Sequence, residues 1–262
     1  MNKTEKQGLL ELKENVALIT INRPPANALN NETLYELQAV FRQLELNPNV
    51  GAIVLTGSGE KNFSSGADIS EFGEMADRGT ADVTLNRMHD FFNYIERFPK
   101  PVIACINGKA LGGGNELQMA CHLSIASDTA ELGQPEIRLG IMPGYGGTQR
   151  LPRQIGQRRA LELLLTGDRI SAQKAADLGL INRIVPQERL LDEALKWAKQ
   201  LADGPPLAMK GILDAVYRGS EVQLDEGMEI ERNNVKRVMT SEDAVEGVMA
   251  FFTKRGPKFK GR

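Results

Sequence analysis

The chain has 262 residues, 41% of them apolar and 25% charged, with a formal net charge of −2; this is the make-up of a soluble globule large enough for one catalytic core and a smaller appendage. Such a balance offers no general attraction to nucleic acid or anionic lipid, and a polar first octet with no run of eighteen apolar residues gives no leader or membrane span to expect, so a cytoplasmic location is expected. Cys105 and Cys121 are the only cysteines and His89 and His122 the only histidines, so buried free thiols are expected in place of a disulfide, and no dedicated Cys/His metal cluster.

In chain order, Val16–Ile21 is a short β-branched run stopped by Asn22-Arg-Pro-Pro and reads as a strand. A helix follows, with Asn30 or Asn31 as its cap, Leu34, Leu37, Phe41 and Leu44 at helical spacing, and Pro48 just past its end. Residues 52–56 and 101–106 read as buried strands, with a helix carrying Leu85, Met88, Phe92 and Ile95 between them. Strand, helix, strand implies crossover connections. From Gln157 the pattern turns mostly helical: Ala160, Leu161, Leu164 and Leu165 share a face, Ser171 caps a helix that Gly179 ends, and residues 180–185 form a brief strand. Residues 190–202, 206–217, 222–239 and 241–252 are predicted as successive helices, the last capped by Ser241 with Val245, Val248, Met249 and Phe252 as one apolar stripe. Gly204-Pro-Pro206 is the expected boundary, dividing a core of residues 1–203 from a helical region of 204–262.

Fifteen of the 26 glycines fall between residues 51 and 150, and the site is expected there, because glycine lets a backbone N–H face a ligand. Two glutamates stand in these loops, Glu116 in Leu111-Gly-Gly-Gly-Asn-Glu116 and Glu136 in Gly133-Gln-Pro-Glu136. Converging carboxylates can deliver and accept a proton and hold a water without a metal. Gly113 is expected at a helix N-terminus, where free N–H groups favour negative charge, and the amide of Ala67 after Asn62-Phe-Ser-Ser-Gly is a second donor; together they would form an oxyanion hole. Taken singly, each glutamate is compatible with a helix-start carboxylate, the triple glycine with a structural loop, and each histidine with a structural role. Gly108-Lys-Ala110 breaks the phosphate-loop order and Gly144-Tyr-Gly-Gly147 breaks GxGxxG.

The order of motifs along nearly the whole chain resembles the crotonase superfamily, and within it the enoyl-CoA hydratase branch. The resemblance rests on Asn22-Arg-Pro-Pro-Ala-Asn-Ala-Leu29, Phe63-Ser-Ser-Gly-Ala-Asp-Ile69, Gly108-Lys-Ala-Leu-Gly-Gly-Gly-Asn-Glu116, Gly133-Gln-Pro-Glu-Ile-Arg-Leu-Gly140, Pro143-Gly-Tyr-Gly-Gly-Thr-Gln-Arg-Leu151, Leu165-Thr-Gly-Asp168 and Phe259-Lys260. It implies an α/β fold, the crotonase spiral of repeated ββα units with a C-terminal helical domain. It further implies an enzyme that adds water reversibly and syn to a trans-2-enoyl-CoA, Ala67 and Gly113 holding the thioester oxygen, Glu116 activating water and Glu136 protonating the α-carbon. Coenzyme A would be part of the substrate and no separate cofactor or metal is implied. Ala26, Ala28, Ser65, Asp68 and Ile69, with Ala67 and Gly113, match segments that hold the CoA ester, and Phe259 and Lys260 match residues that reach adenine and phosphate across a subunit boundary. A homotrimer or a homohexamer, a dimer of trimers, is expected. One departure is His122, where relatives usually carry Asp. Met75, Met88, Phe92, Met142 and Tyr145 are candidates for the acyl pocket. The rival readings are an isomerase or a branched-chain (methylglutaconyl-type) hydratase on the same scaffold. From another class come an RNA-binding or non-catalytic member using Lys254, Arg255, Lys258, Lys260 and Arg262, and a serine hydrolase, for which no nucleophile elbow is present.

Overall fold

The computed structural model describes residues 6–71, 73 and 78–262. Strands β1 (Gly8–Lys13) and β2 (Val16–Ile21) make an antiparallel hairpin, and α1 (Asn31–Leu46) crosses to β3 (Ala52–Gly57), which lies parallel to β2. Asn30 is the cap of α1, accepting from the Thr33 amide. After β4 (Asn62–Ser64), α2 (Arg78–Glu96) returns the chain to β5 (Val102–Ile106), parallel to β3. Next, β6 (Lys109–Leu111) runs into α3 (Gly113–Ala120), β7 (Leu123–Ser127) joins β5, and β8 (Glu131–Gly133) joins β6. There follow α4 (Gly147–Ile155), α5 (Gln157–Thr166), β9 (Arg169–Ser171), α6 (Ala172–Asp177), β10 (Arg183–Val185) and α7 (Leu190–Ala202). The chain ends in α8 (Pro206–Gly219), α9 (Leu224–Met239) and α10 (Glu242–Phe252).

Two sheets result. The larger has the order β1-β2-β3-β5-β7-β10 and is parallel except for β1; the smaller has the order β4-β6-β8-β9 and is parallel except for β9. Strand alternation explains why β3 and β5 are buried throughout: a period of two sends successive side chains to opposite faces, and both faces are covered. Ala17, Ile19, Ile53, Leu55, Val102 and Ala104 face the main core, where α1 and α2 supply Leu37, Phe41, Phe91 and Phe92. Val16, Leu18, Ala52, Val54, Ile103 and Cys105 face a second cluster closed by Leu190, Ala194 and Trp197 of α7. Phe41 meets Phe91 and Phe98 edge to face at 5.9 and 5.4 Å; burying each such ring contributes about 1.5–3 kcal/mol. Cys105 and Cys121 are buried free thiols.

Three expectations change in detail. In α5 the buried positions are Ala160 and Leu163, while Leu161 and Leu165 are 44% and 68% exposed; the stripe they form is rotated away from the one that meets the core. The strand expected over residues 180–185 is confined to Arg183–Val185, the pairing partner β7 being engaged only there. The stripe of Val245, Val248, Met249 and Phe252 is exposed on the single chain.

Candidate active site

The three site-bearing loops leave the C-terminal ends of three adjacent parallel strands. Residues 65–69 follow β4, α3 follows β6, and the 3-10 turn Pro135–Leu139 follows β8. Ligand clefts in open α/β folds form at such strand ends.

The first loop is a strap. Leu29 forms a parallel bridge to Ala67: its N–H donates to Gly66 O at 2.8 Å and its carbonyl accepts from Asp68 N at 3.1 Å. Ser65 N donates to Ala26 O at 3.0 Å. In a parallel ladder this pattern uses residues 66 and 68 and turns the N–H of Ala67 to the opposite side. Arg23 braces the strap, its Nη2 donating to Asp68 Oδ2 at 2.5 Å and its Nη1 to Ala28 O at 3.4 Å. Bonds from Ser70 and this guanidinium hold the Asp68 carboxyl below the usual range.

Gly113 begins α3, so its amide is among those a helix leaves without an internal partner. A β-carbon on Gly113 would lie 3.2 Å from Ala67 N and 2.9 Å from Cδ2 of Tyr145, so the two amides border one small space. Glycine is required at two neighbouring positions. Gly112 has φ 52 and a β-carbon there would meet Glu136 Oε1 at 2.8 Å, while at Gly114 it would stand 2.3 Å from Ser64 O.

Glu116 projects from the first turn of α3 and is buried. Its Oε1 accepts from Tyr145 N at 2.8 Å and from Gly147 N at 2.6 Å, which leaves Oε2 to serve the cavity. Burial raises its carboxyl to about 7, helped by the charge of Glu136 and opposed by the two amides and by Arg150. Glu136 is half-buried and is also raised to about 7 by burial. With its amide nitrogen turned to the carboxylate, Gln134 donates to Glu136 Oε1 at 3.0 Å, to Oε2 at 3.2 Å and to Gly112 O at 3.3 Å. Both glutamates, Ala67 and Gly113 line a single cavity of about 320 Å³, whose apolar mouth carries Ile69, Leu139, Ile141 and Met142. Two carboxylates titrating near neutrality beside two aimed amides can relay a proton while an oxyanion forms.

Not every candidate lies here. Met88 and Phe92 belong to the main core, although Phe92 supports Tyr145 edge to face at 5.9 Å; Met142 and Tyr145 do line the cavity. Met75 lies outside the described residues. Phe259 and Lys260 border a separate cleft with Asn15, Asn49 and Asp203; there Lys260 N donates to Asp243 Oδ1 at 2.6 Å. Two of the five cations in that basic tail are paired, Arg255 with Glu246 at 2.6 Å and Arg262 with Glu242 at 3.0 Å. His89 bonds Gly144 O at 2.7 Å. His122 takes a structural role: Nδ1 accepts from Val102 N at 2.9 Å, which puts the proton on Nε2, and Nε2 donates to Glu96 O at 3.2 Å. Burial lowers it to about 4. Among the described residues no group of three or more His, Cys, Asp or Glu is placed to hold a metal ion, and no helix is long and apolar enough to cross a membrane.

A family model for enoyl-CoA hydratase/isomerase matches residues 11–262. The chain belongs to the enoyl-CoA hydratase/isomerase family. Relatives within the family include a short-chain-enoyl-CoA hydratase of Clostridium acetobutylicum, 41% identical over 250 residues covering 94% of this chain and 95% of that one. A crotonyl-CoA hydratase of Syntrophomonas wolfei is 40% identical over 263 residues, covering 96% of each. Among solved structures, the enoyl-CoA hydratase of Bacillus anthracis superposes with a TM-score of 0.93 at 40% identity, covering 98% of this chain and all of that one. The fold is therefore the crotonase fold of this family. The residues that sequence reading missed, Gln134, Arg150 and the amides of Tyr145 and Gly147, lie in or beside the quoted family motifs; the only signal was their neighbourhood, since a backbone donor leaves no side-chain signature.

Proposed function

We propose that this family member catalyses the reversible syn addition of water to a trans-2-enoyl-CoA, giving a 3-hydroxyacyl-CoA. The observation that carries the reading is that two carboxylates, each raised to about 7, share one cavity with the amides of Ala67 and Gly113. The thioester oxygen lies between the two amides. Water sits on Glu116, which takes one of its protons as the oxygen bonds to the β-carbon. Electron density moves onto the thioester oxygen, where the amides stabilise it more in the transition state than in the substrate. Glu136 gives its proton to the α-carbon, and transfer of a proton from Glu116 to Glu136 resets the pair. Because both carboxyls lie near neutrality, one ionised and one protonated is a populated state, as this division of labour requires. Coenzyme A is part of the substrate, and the steps as written use no other cofactor.

The strap formed by Ala26, Ala28, Ser65, Asp68 and Ile69 leads from the surface to the oxyanion position and is the proposed CoA track, ahead of an acyl pocket with Met142 and Tyr145. Phe259 and Lys260, which border a different cleft of their own chain, would serve a neighbour's CoA in a homotrimer or hexamer.

Hydration of crotonyl-CoA by the wild type and by Glu116→Gln and Glu136→Gln tests the reading. Each change keeps size but removes basicity, so turnover should fall by at least about 10²-fold with KM changed far less. If only Glu136→Gln lowers turnover and the wild type shifts a 3-enoyl double bond faster than it adds water, the protein is an isomerase. A panel of short, medium and long enoyl-CoAs with 3-methylglutaconyl-CoA separates the straight-chain from the branched substrate. If neither substitution affects turnover, the paired-carboxylate mechanism is wrong.

A further inference from the structure

The turn that supplies two amides to Glu116 has little to hold itself with. Residues 144, 146 and 147 are glycine, and such a backbone loses more freedom on ordering than any other. His89 bonds Gly144 O at its start at 2.7 Å, and from behind it is braced by a buried cation. Arg150, in the first turn of α4 and 8% exposed, donates from Nη1 to Tyr145 O at 3.2 Å. Its other donors reach the end of α2: Nη2 to Asn93 Oδ1 at 2.7 Å and to Glu96 Oε2 at 2.9 Å, and Nε to Glu96 Oε1 at 3.3 Å. The guanidinium lies against the turn itself, since a β-carbon on Gly146 would stand 2.3 Å from Nη1. Arg150 N also donates to Gly146 O at 2.9 Å.

The consequence follows from peptide planarity. Holding the carbonyl of Tyr145 fixes the plane between Tyr145 and Gly146, and the planes on either side carry the N–H groups of Tyr145 and Gly147. Both N–H groups end on the same oxygen of Glu116. A planar fork that spans two elements suits this task, whereas a lysine would supply a point charge. A buried ion pair is in itself weak support for stability, because an apolar pair of similar volume often does as well, so a geometric role accounts better for its presence.

We propose that Arg150, anchored by Glu96 and Asn93, is the positioning residue for Glu116: it locks the Tyr145–Gly147 turn so that one carboxylate oxygen is fixed and the other faces the cavity. Its kinetic consequence rests on the hydration reading; the bracing of the turn does not.

The test is the double variant Glu96→Met/Arg150→Met, which removes both charges together and leaves neither buried alone. Three readouts are taken: thermal stability, the separate kcat and KM for crotonyl-CoA, and deuterium uptake by a peptide covering residues 143–151 without substrate. Stability is expected to stay near wild type while kcat falls about 10²-fold, the scale of an ångström of misplacement; KM should hold and exchange in the peptide should quicken. A stable double variant with wild-type kcat, or with unchanged exchange in that peptide, overturns the proposal. Should the double variant not fold, Arg150→Lys carries the same readouts: reduced kcat with quicker exchange supports the brace, and wild-type values refute it. If the wild type hydrates no enoyl-CoA, the functional reading fails, and the exchange measurement still decides the positioning role.

Discussion

The glycine-rich middle of the chain and its last three helices solve burial in opposite ways. Around α3 every residue from Leu111 to Ala120 is buried, and the polar groups among them are matched within the same chain: Glu116 by two amides, and Gln118 by Asn115 and Ser124. In α9 and α10 large apolar side chains stand in the open, Leu224 at 76%, Met239 at 72%, Phe251 at 79% and Phe252 at 75%. The terminal helices carry an apolar surface of the kind that marks an interface. The paired carboxylates and the exposed apolar helices thus occupy separate regions, joined where His122, just after α3, packs at 5.5 Å against Tyr217 of α8.

The largest effect should come from the oxyanion amide. Gly113→Pro removes a donor at a helix position that tolerates proline, but its ring atoms would strike Tyr145, 2.9 Å from a β-carbon at this site. The informative comparison is therefore Tyr145→Ala with and without Gly113→Pro. Loss of the donor should lower kcat by 10²–10³-fold, about 2.7–4 kcal/mol, with the assembly mass unchanged; equal turnover in the two proteins would remove Gly113 from the mechanism.

The converse change lies in the terminal helices. Phe251→Asp with Phe252→Asp alters side chains that a lone chain leaves exposed, where substitutions usually stay within about 0.5 kcal/mol. In an assembly it should instead lower the mass seen by light scattering, and an unchanged mass would mean that these side chains form no subunit contact.

Glu116 has its folded pKa raised from 4.5 to about 7, so the stability it contributes is present below the lower value and lost as pH rises through the higher one. The Tm of the wild type relative to Glu116→Gln should therefore fall between pH 5 and 8, each kcal/mol moving Tm by about 2–4 °C in a chain of this size. A flat difference would mean that the carboxyl is not raised.

An effect of similar size and opposite sign is expected at the seam. His122 has its pKa lowered from 6.5 to about 4, so its contribution is present above the higher value and lost as pH falls toward the lower. Against His122→Asn, the wild type should lose Tm on acidification through that window, opposite in sign to Glu116. A difference that does not move with pH would remove the neutral imidazole from the account.

In the sequence the central strands β2, β3 and β5 and the long helices are legible, because long runs carry their own period: Leu34 to Leu44 at helical spacing, and central strands apolar on both faces; β1 was not among the expected strands, and β10 is shorter than expected. The sequence also placed the caps Ser171 and Ser241 and narrowed the first to Asn30 or Asn31, since a side-chain oxygen there meets a nearby amide within the same short segment. It singled out Glu116 and Glu136 with their glycines, and by motif order the family. The four strands of the small sheet were not legible, since three residues each are too few to show a period. Yet that sheet brings together loops tens of residues apart and sets Glu116 and Glu136 on one cavity. Which groups meet the carboxylates was set by packing: the amides of Tyr145 and Gly147, the side chain of Gln134, and Arg150 behind the turn. A backbone N–H is present at nearly every residue, and only packing of distant segments gives one of them a direction and an acceptor.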